Sequence, residues 1–150
     1  MRTRSASGLQ AKRLGDYFQR YFETRCKYQK IDCVRIPDGC RQLSAFKTMR
    51  VRTPFDYIIA FDKKVVFVDL KSIADKRFSF SKIERHQLVE LTKLGRHSQA
   101  GYIVYFRECN EIVFYSYEIL GRLQPQKSLD LEDGIRLGNV LNADIRSLFK

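Results

Sequence analysis

The 150-residue chain carries 28 Lys and Arg against 17 Asp and Glu, a net charge of +11, with 44% hydrophobic and 13% aromatic residues. That apolar content excludes wholesale disorder, and the length suits one domain over 1–150 with a buried core. No apolar run approaches the roughly 18 residues that span a bilayer, and no apolar signal core follows the basic start, so neither a membrane span nor secretion is expected.

The charge is concentrated at the front. Residues 1–53 hold 13 Lys and Arg against 4 Asp and Glu, 13 − 4 = +9; residues 54–150 hold 15 against 13, or +2. A basic N-terminal third fits a polyanionic partner, nucleic acid first. A solvated surface or a flexible tail is the plainer reading of each charge taken singly. Residues 1–7 read as a flexible basic arm. Over Ser7–Lys27, Leu9, Leu14, Phe18, Tyr21 and Phe22 recur at helical spacing, with Ser7 as N-cap. A short strand over 32–36 stops at the turn signal Pro37-Asp38-Gly39, and 40–53 reads as a basic loop. Cys26, Cys33, Cys40 and Cys109 include no C-x2-C pair, so reduced thiols are expected rather than a zinc site or a disulfide.

A hairpin over 56–71 follows. Next comes a helix from Ser81, opened by a Ser81–Glu84 capping box, striped by Ile83, Leu88, Leu91 and Leu94 and stopped at Gly95. Strands at 102–106 and 112–116 meet through Cys109-Asn110. Beyond Gly121 the pattern fades; 121–150 is a tail of unassigned role in which Asn142 caps a last short helix. The order α-β-β-β-α-β-β implies a mixed α/β sheet flanked by helices.

The hairpin carries the chemistry. With a two-residue loop at Asp62-Lys63, Phe61 faces Lys64 and Asp56 falls opposite Asp69, with Lys71 on the same face two residues on. A four-residue loop keeps that parity; an odd loop destroys it. Facing carboxylates repel unless a cation lies between them. Mg²⁺, which takes oxygen ligands, is the better solution, and a neighbouring lysine can orient a water or offset charge on a transition state. The face suits metal-assisted phosphodiester hydrolysis. The plain alternative for Asp69 and Lys71 is an exposed strand-end ion pair.

Pro54-Phe55-Asp56 followed by Asp69-Leu70-Lys71 at the end of an apolar strand resembles the signature of the PD-(D/E)XK nuclease superfamily. Here Phe55 splits the usual Pro-Asp pair, and Asp69 stands where many members have Glu. The small size, the basic first helix, VDLKS and the later ERHQLVELTKLGRHSQAGYIVYF are most similar to Holliday junction resolvases of archaeal, bacterial and phage type, over residues 8–116. The resemblance implies a restriction-endonuclease-like fold and Mg²⁺ as cofactor, with Mn²⁺ able to substitute. It implies a homodimer on branched or duplex DNA, and Gln87 as the helix glutamine at the site. It also implies a first-helix acid. Gln19 stands where Glu is usual, so Glu23, or Asp16 on the same helical face, takes that part.

The expected catalytic set is therefore Asp56, Asp69, Lys71, Gln87 and Glu23, with metal on Asp56, Asp69 and Glu23 or Asp16. Phosphate contacts fall to Arg2, Arg4, Lys12, Arg13, Arg50, Arg52, Lys76 and Arg77. Such an enzyme would work in the cytoplasm, a host's if viral, in association with the nucleoid. Rival readings are a restriction-like, repair or RNA-directed nuclease, and an inactive nucleic-acid-binding module of the same fold.

Overall fold

The structure, a computed structural model, describes residues 6–37, 39–44, 47–51, 53, 55–122 and 128–150. A long helix α1 (Ala6–Tyr28) leads into β1 (Asp32–Arg35), β2 (Gly39–Ser44) and β3 (Lys47–Val51), then β4 (Tyr57–Phe61) and β5 (Lys64–Ile73). After β6 (Phe78–Ser79) come α2 (Arg85–Gly95), β7 (Gln99–Phe106), β8 (Glu111–Ser116) and α3 (Tyr117–Arg122). The chain closes with β9 (Ser128–Leu129), β10 (Ile135–Gly138) and a 3-10 helix over Ile145–Phe149.

Six strands form one mixed sheet in the order β1-β4-β5-β7-β8-β10. Only β5 and β7 run parallel, because α2 carries the chain back across one face between them; the other neighbours are antiparallel. This is the expected mixed α/β sheet flanked by helices. Alternation divides the core in two. On one face Val66, Val68 and Leu70 of β5 meet Phe18, Phe22 and Cys26 of α1 and Ile145, Leu148 and Phe149 of the last helix. On the other, Tyr102, Val104, Val113 and Tyr115 meet Leu91 of α2 and Leu120 of α3.

Several local expectations need correction. Helix α1 begins at Ala6, so Ser7 lies inside it rather than capping it. Residues 1–5 of the expected arm lie outside the described residues. The expected loop over 40–53 holds the antiparallel β2–β3 ribbon, paired from Gly39–Val51 to Ser44–Lys47. Helix α2 starts at Arg85, not Ser81. Ser79 caps a 3-10 turn over Phe80–Lys82 by accepting the Ser81 N–H, and Glu84 is itself the N-cap, with no side-chain capping bond. The Ser81–Glu84 box is therefore not formed. Among the described residues Cys26, Cys33 and Cys109 are free thiols.

The C-terminal segment is the largest addition. Strand β10 extends the sheet beside β8, and Leu137, Ala143, Ile145, Leu148 and Phe149 are buried in the α1-side core. Gln29, at the end of α1, latches it. Its Nε2 donates to Ala143 C=O at 2.5 Å, and its Oε1 accepts the N–H groups of Ile145 and Arg146 at 2.9 and 3.2 Å. Asn142 does not cap the last helix: its Oδ1 accepts the Asn139 N–H at 3.0 Å, and Asp144 stands at the N-cap.

Candidate active site

The site begins with the turn at Asp62-Lys63. Both residues hold positive φ, 48° and 62°, the primed geometry whose twist matches paired strands. Neither is Gly, so the turn stores strain, yet the loop has the expected two residues and Phe61 faces Lys64. The register runs from there to Tyr57–Val68. Alternation along β5 then places Asp69 and Lys71 on the α2 face while Val68 and Leu70 face α1.

Strict pairing stops one residue short of the expected Asp56–Asp69 pair. The Asp56 N–H donates to the Val68 carbonyl at 3.0 Å, the residue already opposite Tyr57, and Asp56 Oδ2 accepts the Leu70 N–H at 2.8 Å. Asp56 is thus offset from Asp69 rather than directly opposite, and its carboxylate takes over a donor that the ladder would have used. Its negative charge still pushes the Asp69 carboxyl up.

Asp69, Lys71 and Gln87 close a ring of polar contacts. Gln87 Nε2 donates to Asp69 Oδ1 at 2.8 Å, Lys71 Nζ donates to Gln87 Oε1 at 3.3 Å, and Lys71 Nζ lies 2.8 Å from Asp69 Oδ2. Beyond that ion pair, Asp69 Oδ2 receives no aligned hydrogen bond among the described residues. Leu91, fully buried one turn after Gln87, seats α2 on the sheet and turns the amide inward. Asp69 is paired across the parallel junction with Tyr102, whose ring lies 5.8 Å from Lys71 Nζ.

Asp69 is 1% exposed. Burial pushes its carboxyl up to about 7; Lys71 pulls it down, and the charges of Asp56 and Glu84 push it further up. The Tyr102 hydroxyl is buried with no hydrogen-bond partner among the described residues. Burial first, then the charges of Asp69, Glu84 and Asp56, raise it, so it stays a neutral phenol. This pair of carboxylates suits a hard cation, which would relieve both the desolvation of Asp69 and its repulsion by Asp56. Among the described residues no three His, Cys, Asp or Glu side chains are gathered closely enough to enclose an ion. An ion held here would keep much of its water shell.

The structure does not bring the first-helix acids to this ring. Glu23 stands on the α1 face, where its Oε1 accepts the Tyr57 hydroxyl at 2.6 Å and lies 3.9 Å from the Arg35 guanidinium. Gln19 accepts from the same guanidinium at 2.9 Å. Asp16 is exposed on α1, as are Lys12 and Arg13. Lys76 and Arg77 follow β5, exposed, at 3.5 Å from Glu108 and 3.1 Å from Asp130. Arg50 lies on β3; Arg2, Arg4, Arg52 and Pro54 are outside the described residues. Glu84 and Tyr102 went unnoticed in the sequence. The S-x-x-E spacing assigned Glu84 to a cap, and an apolar strand gives no sign that one tyrosine hydroxyl lacks a partner.

No protein-family model and no curated protein matches the chain. Among solved structures, the Archaeoglobus fulgidus Holliday junction resolvase Hjc is similar at a TM-score of 0.57 and 15% identity, covering 81% of this chain and 95% of that one. The protein SSO0001 is similar at a TM-score of 0.43 and 14% identity, covering 76% of this chain and 58% of that one. The likeness to the resolvase is one of fold. No helix among the described residues is long and apolar enough to cross a membrane.

Proposed function

We propose that the protein is a metal-dependent endonuclease that cuts branched DNA to leave 5′-phosphates. The observation that carries this reading is the buried Asp69–Lys71–Gln87 ring beside Asp56, at the end of the β4–β5 hairpin. The resolvase-like fold supports it. Asp56 and Asp69 would hold Mg²⁺, which when bound supplies charge neutralisation at the phosphate and a more acidic water. Gln87 holds Asp69 and Lys71 in one geometry through the two ends of its amide. The Lys71 side chain is 22% exposed, so its ammonium meets solvent while anchored to Asp69. There it can donate to a phosphate oxygen and offset the charge that develops on it.

The basic N-terminal third supplies the electrostatic attraction, with Lys12, Arg13, Lys76 and Arg77 as phosphate contacts. Pairing of two copies about a twofold axis would let two such sites cut two strands symmetrically. The test incubates the protein with a four-way junction, a linear duplex and single strands, in Mg²⁺ or EDTA, beside Asp69→Asn. Symmetric, Mg²⁺-dependent nicks in the junction are expected, reduced by roughly a hundred- to a thousandfold in the variant with binding retained. Equal cutting of linear duplex would move the substrate to a restriction-like or repair class. Tight binding without cutting would leave a nucleic-acid-binding module.

A further inference from the structure

Strands β5 and β7 are parallel and end together, and the carboxyl ends of parallel strands are where open α/β sheets take their ligands. Asp69 and Lys71 occupy the α2 face there. On the α1 face, Ser72 of β5 is paired with Tyr105 of β7, whose ring centre lies 5.3 Å from that of Phe18 on α1. Arg107 follows β7 directly. Its backbone N–H donates to the Ile73 carbonyl at 2.9 Å, and its Nη1 donates to Ser72 Oγ at 3.3 Å. Lys71 and Ser72 are consecutive residues that alternate in direction, so a cation stands on either face at the end of β5.

The Arg107 guanidinium is short of partners. Among the described side chains two arginines are half-buried, Arg25 and Arg107. Arg25 is held: its Nε donates to the Ala143 carbonyl at 2.7 Å, and its guanidinium carbon lies 5.1 Å from the centre of the Tyr28 ring. Arg107 has the neutral Ser72 hydroxyl, and no carboxylate among the described residues forms an ion pair with it. The acids around it are taken. Asp75 is bonded to Lys82, which, with a smaller contribution from Arg107, holds its carboxyl down. Glu108 lies 3.5 Å from Lys76. A cation drawn out of water without a counter-ion is unfavourable, and an arriving oxyanion offsets that. The planar fork of donors on a guanidinium, most of it unused here, matches two oxygens of a phosphate.

We propose that Arg107, steadied by Ser72, binds a backbone phosphate next to the one that is cut, so that the DNA strand crosses the end of β5 with Lys71 on one face and Arg107 on the other. Arg107 touches no reacting atom and is a positioning residue. The inference rests on the nuclease reading above and adds to it an anchor on the opposite face of the sheet.

The test reads binding and cutting separately on a four-way junction. Fluorescence anisotropy in EDTA, over a series of KCl concentrations, measures binding with no cleavage. Arg107→Gln should weaken binding about tenfold and reduce the slope of log affinity against log salt by about one. Arg107→Lys keeps the charge but not the fork, so it should keep the wild-type slope and recover part of the affinity. In Mg²⁺, Arg107→Gln should raise KM while kcat stays within about threefold of wild type. A thermal scan should find the variant as stable as wild type, since the one contact it loses is to Ser72. A neutral methylphosphonate moved one phosphate at a time through the junction should, at one position beside the cut, weaken wild type by about the same tenfold and leave Arg107→Gln unaffected. Binding by Arg107→Gln within about twofold of wild type, with an unchanged slope, overturns the proposal whether or not the protein cuts. A slope that Arg107→Lys does not restore, or a loss that no methylphosphonate reproduces, overturns it too. The expected binding losses without any Mg²⁺-dependent cutting contradict the nuclease reading instead and leave the phosphate contact standing.

Discussion

On the α1 face of the sheet, Phe18, Phe22 and Tyr57 are buried to within 2% exposure, and the one hydroxyl that Tyr57 brings is bonded to Glu23. On the α2 face, an equally buried Asp69 is held far from its ordinary acidity, and the Tyr102 hydroxyl beside it has no partner among the described residues. Each side holds one buried tyrosine hydroxyl without a partner among the described residues, Tyr21 on α1 and Tyr102 on the α2 face, but among those residues only the α2 face buries a carboxylate. The first arrangement stabilises; the second holds charge and donors ready at a cost. The difference arises within a single strand, because adjacent residues of β5 point to opposite faces.

The comparison breaks most visibly in the α1 core. Phe22 packs its ring 5.3 Å from that of Tyr57, and Phe22→Ala should cost about 3–5 kcal/mol in urea unfolding. Gln29→Ala should come next, at roughly 2 kcal/mol, since it strands the amides of Ile145 and Arg146. Hydrogen exchange should then show the 145–149 helix opening before the sheet. Smallest is Tyr57→Phe, which removes the bond to Glu23 for about 1 kcal/mol. Junction cleavage should be unchanged by it. A large loss of cleavage there would tie the α1 face to the chemistry and erase the contrast.

The hairpin was legible because its signal is parity. A two-residue turn and alternating residues fix which side chains share a face, and the observed register agrees with the expected one from Phe61–Lys64 to Tyr57–Val68. What parity cannot express is the offset of Asp56, where a side chain replaces a backbone partner at the strand end. Nor does it tell that Glu84 stands at the N-cap of a helix begun at Arg85 rather than inside one begun at Ser81. Helix α1 is long enough to show its periodicity, but strands of two to four residues such as β9 and β10 are too short for any pattern to emerge. The segment after them is held by Gln29, Arg25 and Arg146 bonding across more than a hundred residues, an arrangement no local window contains.

The contrast between the faces is tested most directly by the pH dependence of folding in wild type and Asp69→Asn. The folded state raises the Asp69 carboxyl from 3.8 to about 7, so between those values the folded protein holds a proton that the unfolded chain releases. Its contribution to stability is therefore complete below pH 3.8 and lost as pH rises through 7. At about 1.4 kcal/mol per pH unit, the loss is at most ~4 kcal/mol. Asn cannot ionise and has no such slope. Urea unfolding from pH 4.5 to 8.5 should therefore show the stability of the variant, relative to wild type, climbing steadily by a few kcal/mol and levelling above pH 7 to 8. Two parallel curves across that range would contradict the account, because Asp69 would then carry its charge at no cost and the α2 face would be no different from the α1 face.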